Sequence, residues 1–390
     1  MADFKIQRSS AEIALNGASV TITAGTEYTA PSSITKSFIR ILGLEANTTG
    51  NEDGDFAGAA DRNATVITNP GNLLTSITFT RVGASDGPLQ VFYEIIEYIG
   101  SASGVNEFIV RHEEVIAWDT STSIDSSTIS GVSTAADVVV FSTGMSIIPS
   151  GLRSESGVGR FTWEYIGGST LARGTSGNTV KSGNVSIAVV EFTGSDWTVQ
   201  RIEHAFVSAA TIETETITTV GNISQAFTHH QSRYATAANG PDGSGFEAHL
   251  SDATTLTYLA DSIDSGQTVV SWVVDNAGLS VERITGSRAS GAGGSDPDTF
   301  TESHSTSASS LDTVSIMGET GQTDETNDVH KNRMSMVPSS LTVIDLFRAR
   351  DDGNQDYRFE VVSWPEEAAA AGGDLLLTNR SIANYQGMRQ

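Results

Sequence analysis

One phrase recurs four times along the chain, and it demands a fold built by repetition. Its fullest copy is Val185-Ser-Ile-Ala-Val-Val-Glu-Phe192, followed after four residues by Trp197-Thr-Val-Gln-Arg201. The pattern reads as strand, tight turn, strand. An earlier copy is Phe92-Tyr-Glu-Ile-Ile-Glu-Tyr98 with Glu107-Phe-Ile-Val-Arg111, and a later one is Val270-Ser-Trp-Val-Val-Asp275 with Leu279-Ser-Val-Glu-Arg283. The last, Tyr357-Arg-Phe-Glu-Val-Val-Ser-Trp364, runs into Pro365 and has no second half. That half stands at the start of the chain, as Phe4-Lys-Ile-Gln-Arg8.

The spacing of the copies sets the size of the unit. The terminal arginines Arg8, Arg111, Arg201 and Arg283 lie 103, 90 and 82 residues apart. The acid positions Glu97, Glu191 and Asp275, with Ser363 as their fourth counterpart, lie 94, 84 and 88 apart. Solenoid repeats are about 20–50 residues long, whereas a β-sandwich takes about 100. The expectation is an all-β chain of four β-sandwich-like units, 1–104, 105–194, 195–277 and 278–365, with a C-terminal arm or tail at 366–390. Only short links such as Thr193-Gly-Ser-Asp196 separate the units. The units should therefore abut rather than swing. The recurring arginine and acid are expected to form a structural ion pair across neighbouring strands.

Within the units, alternating apolar and polar residues mark strands with one face in a core. Ala18–Thr23, Ser37–Leu42, Thr65–Thr68, Ser76–Arg81 and Gln90–Tyr98 have this character in the first unit. Ala136–Phe141, Arg160–Tyr165 and Ser186–Phe192 follow in the second; Thr216–Thr219, Gln225–Thr228, Thr255–Tyr258 and Val269–Asp275 in the third. Asp312–Ile316, Leu341–Phe347 and Arg358–Trp364 complete the fourth. The polar, glycine-rich stretches 46–64 and Ser287–Asp298 read as loops. After Pro365, Ala368-Ala-Ala-Ala371 favours helix but is too short to hold one alone.

Composition excludes several function classes. There is no cysteine, so neither disulfides nor thiolate metal sites are available. No apolar run approaches the ~18–20 residues of a membrane helix, and Met1–Arg8 has no apolar leader core. The net charge of −25, from 47 acids and 22 bases, gives no basic stripe for nucleic acid.

No catalytic or cofactor-binding motif stands out. There is no nucleophile elbow and no phosphate loop. The histidines His112, His204, His229, His230, His249, His304 and His330 lack the spacing of a metal site. Adjacent His229 and His230 would point to opposite faces of a strand. The metal-free expectation is histidines facing solvent or lying in loops. Loops 51–61 and 351–356 offer calcium-type oxygen donors, but without the EF-hand pattern, and turn chemistry accounts for their Asp, Asn and Gly. Glu94, Glu97, Glu164 and Glu191 are strand acids that could meet as a glycosidase pair; their recurrence favours a structural role. Of Trp118, Trp163, Trp197, Trp272 and Trp364, three belong to the recurring phrase and are expected in the core.

The segments Glu107-Phe-Ile-Val-Arg111 and Val189-Val-Glu-Phe-Thr-Gly-Ser-Asp-Trp-Thr-Val-Gln-Arg201, with the opening Met1–Arg8, resemble the tandem "VVEF…VQR" repeats of tailed-bacteriophage virion proteins. The resemblance implies a non-enzymatic structural virion protein, a head decoration, tail or fibre component, made in the host cytoplasm. It implies other virion proteins as partners and a homo-oligomer, with neither nucleic-acid binding nor membrane insertion. The alternative is a receptor- or glycan-binding tail-fibre module, and after that a polysaccharide depolymerase.

Overall fold

A computed structural model describes residues 3–14, 17–46, 65–81, 88–118, 126–148, 162–165, 170–174, 182–207, 212–234, 246–259, 267–289, 298–305, 308–323, 334–348 and 354–365. The chain is all-β, with no helix of seven or more residues among those described. The expected arm at 366–390, the whole of candidate calcium loop 51–61 and residues 351–353 of loop 351–356 lie outside them.

Among the described residues, strands come in sixes. The first set is β1 (Phe4–Ile13), β2 (Ser19–Thr23), β3 (Ser37–Ala46), β4 (Thr65–Ile67), β5 (Ser76–Arg81) and β6 (Leu89–Tyr98). The second is β7 (Phe108–Trp118), β8 (Ser126–Thr128), β9 (Val138–Ile148), β10 (Thr162–Tyr165), β11 (Thr170–Gly174) and β12 (Ser182–Phe192). The third is β13 (Thr198–Ala205), β14 (Ile212–Thr216), β15 (Ala226–Tyr234), β16 (Glu247–Asp252), β17 (Thr255–Leu259) and β18 (Gln267–Asp275). The fourth is β19 (Ser280–Arg288), β20 (Asp298–Ser303), β21 (Val314–Thr323), β22 (Met334–Pro338), β23 (Val343–Arg348) and β24 (Gln355–Ser363).

Every set follows one antiparallel rule. The sixth strand lies between the first and third in an inner sheet, as in β1-β6-β3, and the fifth lies between the second and fourth in an outer sheet, as in β2-β5-β4. A short 3-10 turn enters each third strand: Ile34–Lys36, Ala135–Asp137, Ile223–Gln225 and Leu311–Thr313. Ser33, Asn222 and Ser310 cap three of these turns by accepting the backbone N–H two residues on. Such short oxygen side chains suit a cap because they satisfy an N–H left open at the turn's start.

The sixth strand at the centre of each inner sheet is buried on both faces over most of its length. One face packs on the unit's own outer sheet, as in the cluster of Ile13, Ile39, Ile77, Phe79, Tyr93 and Ile95. The other joins a single apolar hub drawn from all four sets, including Phe4, Phe38, Phe108, Phe141, Phe192, Trp197, Phe227, Trp272 and Trp364. This corrects the expectation of half-exposed strands. In β6, every residue from Val91 to Tyr98 is buried, so alternation gives way to a continuous buried run in which only Glu94 and Glu97 are charged.

The recurring phrase is likewise not a hairpin. β12 pairs with β7 and β9, whereas β13 pairs with β18, so the phrase's two strands lie in different sheets. The turn between them passes the chain from one set to the next. Thr193 and Gly194 donate backbone N–H groups back to the Glu107 carbonyl (3.0 and 2.8 Å), and Asp196 donates to Val105 (3.0 Å). Thr216–Thr219 is also not a strand. β14 ends at Thr216, and Ile217 instead turns in toward the third unit's core.

Candidate functional site

The four sets close into a ring, and the neighbour contacts repeat cyclically. The first strand of each set touches the 3-10 turn of the set before it: β7 meets Ile34–Lys36, β13 meets Ala135–Asp137, β19 meets Ile223–Gln225, and β1 meets Leu311–Thr313. The fourth strand of each set lies against the third strand of the next: β4 on β9, β10 on β15, β16 on β21, and β22 on β3. At the β4–β9 seam the ladder is continuous, with Thr65 paired to Met145.

The hub holds the start of the first unit and the end of the fourth together. The Phe4 ring lies 4.7 Å from Trp364, 5.7 Å from Phe108 and 6.2 Å from Trp197, centroid to centroid. These distances fit tilted and edge-on aromatic packing. A buried amide chain runs alongside. Asn276 donates to Asn106 (3.0 Å), which donates to the Asp3 carboxylate (2.8 Å), tying the chain's start to two unit junctions.

The recurring arginines do form ion pairs, but with less regular partners than the phrase suggests. Arg111 pairs with the expected Glu191 (2.5 Å). It reaches that acid because a bulge leaves it without an opposite residue: His112 faces Val189 and Val110 faces Val190. Arg8 and Arg283 instead pair with acids three residues earlier than the phrase position, Glu94 (3.1 Å) and Glu360 (3.0 Å). In the third set that place is Trp272, opposite Arg201, and Arg201 pairs with Glu203 on its own strand (2.9 Å).

Two of these arginines bridge units. Arg8 Nη1 donates to the Leu311 carbonyl (2.9 Å). Arg283 donates to Ile223 O (2.7 Å) in the preceding 3-10 turn and to Ala226 O (2.6 Å) at the start of β15. Burial pushes the Arg8 guanidinium below its ordinary pKa, and Glu94 opposes that push. Glu360 is raised by burial, against the pull of Arg283 and the Thr228 N–H.

The phrase acids have a second task. Glu97 accepts the Ser32 N–H (2.5 Å), Glu191 accepts those of Ser133 and Thr134 (2.8 and 2.7 Å), and Asp275 accepts that of Gly221 (3.1 Å). Each anchors the loop that enters a third strand. Glu94 is fully enclosed and held by Arg8 and Arg40 (2.7 Å). Glu94 and Glu97, three residues apart on β6, point to opposite faces. The side chains of Glu164, Trp118 and Trp163 lie outside the described ones. Trp197, Trp272 and Trp364 are buried in the hub as expected.

The histidines contradict the solvent-and-loop expectation. His204 is buried between Glu213 and Glu215 (2.9 Å each) and stacked on Tyr258 at 4.4 Å. His229 stacks on Phe141 and Trp272, while His230 bonds Ser271 and Thr228, so the two occupy opposite faces of β15 as the sequence implied. His112 pairs with Glu114 (3.0 Å), His249 lies beside Arg358 and His304 is buried; His330 lies outside the described residues. No group of three metal-ligating side chains occurs among the described residues. Ser287–Asp298 also differs from a plain loop. Its ends are strand, and buried Asp298 takes two bonds from Arg288 (2.8 and 2.7 Å).

Sequence reasoning missed the 3-10 turns, although a signal was present. Ser33, Thr134, Asn222 and Ser310 each stand four residues before a third strand. The chain matches no protein-family model and no curated protein. No helix among the described residues is long and apolar enough to cross a membrane.

Proposed function

We propose that the chain is a structural virion protein of a tailed phage, exposed on the capsid or tail and bound to other virion proteins. The observation that carries this reading is how the recurring charges are used. Arg8, Arg111 and Arg283, with Glu97, Glu191 and Asp275, serve ion pairs and loop anchors inside the ring. Arg8 and Arg283 tie neighbouring units together while the other four brace strands and loops within a unit, in keeping with a rigid building block. The resemblance of the junction phrase to tailed-phage virion repeats supports the same reading, and the charge of −25 favours a position away from packaged nucleic acid.

Mass spectrometry of gradient-purified particles, followed by cryo-electron microscopy, tests it. The expected result is stoichiometric protein in the particle and ring-shaped density on the capsid lattice or tail. Absence from the particle overturns the reading. Density confined to a distal tip replaces it with receptor binding.

A further inference from the structure

One strand of the ring carries histidines where its three counterparts carry none. Counting from the end of each 3-10 turn, His229 and His230 of β15 correspond to Arg40 and Ile41 in β3, Phe141 and Ser142 in β9, and Met317 and Gly318 in β21. A third histidine, His249, stands on β16 of the same unit. From the way these three are held, we infer that β15 is an acid-released latch, docked at neutral pH and let go on acidification before the rest of the ring.

Each histidine is held in a manner that suits the neutral ring. His229 lies on the seam with the second unit, 4.8 Å from the Phe141 ring, beside Gln231, which donates to the Val140 carbonyl (2.7 Å). His230 faces the third unit's own core, with Ser271 Oγ at 2.8 Å from Nδ1 and Thr228 Oγ1 at 2.9 Å from Nε2. His249 faces the seam with the fourth unit, where Arg358 Nη1 lies 3.3 Å from Nδ1. A guanidinium can only donate, so that nitrogen must carry a lone pair. Protonating it removes the bond and sets two cations together.

The charged groups around the latch come from four neighbouring strands. Arg358 and Glu360 project from β24, Arg283 from β19, Glu247 from β16 and Arg40 from β3. Arg358 pairs with Glu247, and Glu360 accepts the Thr228 N–H (2.5 Å). Burial lowers His229 and His230 to about 3, aided by Arg40 and by neighbouring histidines respectively. Burial also lowers His249 to about 4, with Arg358 and Arg283 adding to it.

The docked strand therefore takes up protons last, while a released strand takes them up near the ordinary value of 6.5. Docking is intact above that value and weakens steadily as pH falls from it toward about 3–4. Glu360, raised by burial, acts in the opposite sense and is outnumbered. The seam between the fourth and first units is held in part by the apolar cluster of Leu42, Phe92, Val337 and Phe347.

Hydrogen exchange of the full-length protein at about pH 7 and about pH 4.5, corrected for intrinsic rates, tests the latch. The expected result is early loss of protection in β15 while β3, β6 and β22 keep theirs. A double variant with the second unit's residues, His229→Phe and His230→Ser, should lower the pH of release by about one unit or more. His249→Gln, which keeps the hydrogen-bonding capacity, should lower it by a smaller amount. Simultaneous loss of protection in all third strands of the wild type, or an unmoved release in His249→Gln, overturns the inference.

Discussion

Arg8 Nη1 donates a hydrogen bond to the carbonyl of Leu311, 303 residues later and 2.9 Å away. The bond joins the first strand of the chain to the last 3-10 turn, and its counterpart is the reach of Arg283 to Ile223 (2.7 Å) between consecutive units. The closing seam thus reuses a contact made at a covalently continuous one. Replacing Arg8 by alanine removes this bond and one of the two bases on Glu94, with Arg40 left to hold that acid. The expected cost is about 2–3 kcal/mol, read from the denaturant midpoint. A change below about 0.5 kcal/mol would show the seam to be closed by other contacts.

Phe4 closes the same seam from the apolar side. It is buried among Trp364, Phe108 and Trp197, although it stands near the start of the chain, where segments commonly fray. Phe4→Ala should cost about 3–5 kcal/mol and shift the tryptophan emission toward that of exposed indoles. An unaltered spectrum with unaltered stability would contradict a packed hub at this end.

The β22–β3 seam depends on a missing side chain. A Cβ on Gly43 would lie 2.2 Å from Ser335 Cβ, and Ser335 Oγ bonds both the N–H (2.8 Å) and carbonyl (2.9 Å) of Leu44. Gly43→Ala should destabilise by about 1–3 kcal/mol. Adding Ser335→Gly should recover part of that loss, with a coupling energy of about 0.5 kcal/mol or more in a double-mutant cycle. Strict additivity of the two changes would place the residues out of contact.

The phrase acids should differ in weight according to what they hold. Glu191 is buried and accepts from Arg111, Ser133 and Thr134, whereas Asp275 accepts from Gly221 at an exposed site. Glu191→Ala should cost about 3 kcal/mol and Asp275→Ala less than about 1. Equal costs, measured by chemical unfolding, would refute the distinction.

The inner sheets were more legible in the sequence than the outer ones. The cores of β3, β6, β12, β18 and β24 are legible because their apolar runs are dense; among the outer strands, β5 is legible to its ends from its strict alternation. The outer strands β8 (Ser-Ser-Thr) and β14 (Ile-Glu-Thr-Glu-Thr) carry no apolar alternation, so they resemble loops, and β14 buries little. Ring closure was hinted at by the half-phrase at each chain end. The two strands of the phrase form no hairpin, because a sixth strand already has both neighbours within its own set. The histidines were misplaced for a related reason. A polar residue looks exposed unless its partners, such as Ser271 for His230, can be seen.

Ring closure is tested most directly by a distance across the seam. The chain has no cysteine, so Ser9→Cys and Asp312→Cys give two exposed, unambiguous spin-label sites beside the Arg8–Leu311 bond. Pulsed electron-spin distance measurement on the full-length protein should give one narrow, short distribution. A broad distribution centred at several sandwich lengths would mean that the four units form an open string, and the closed ring would have to be abandoned.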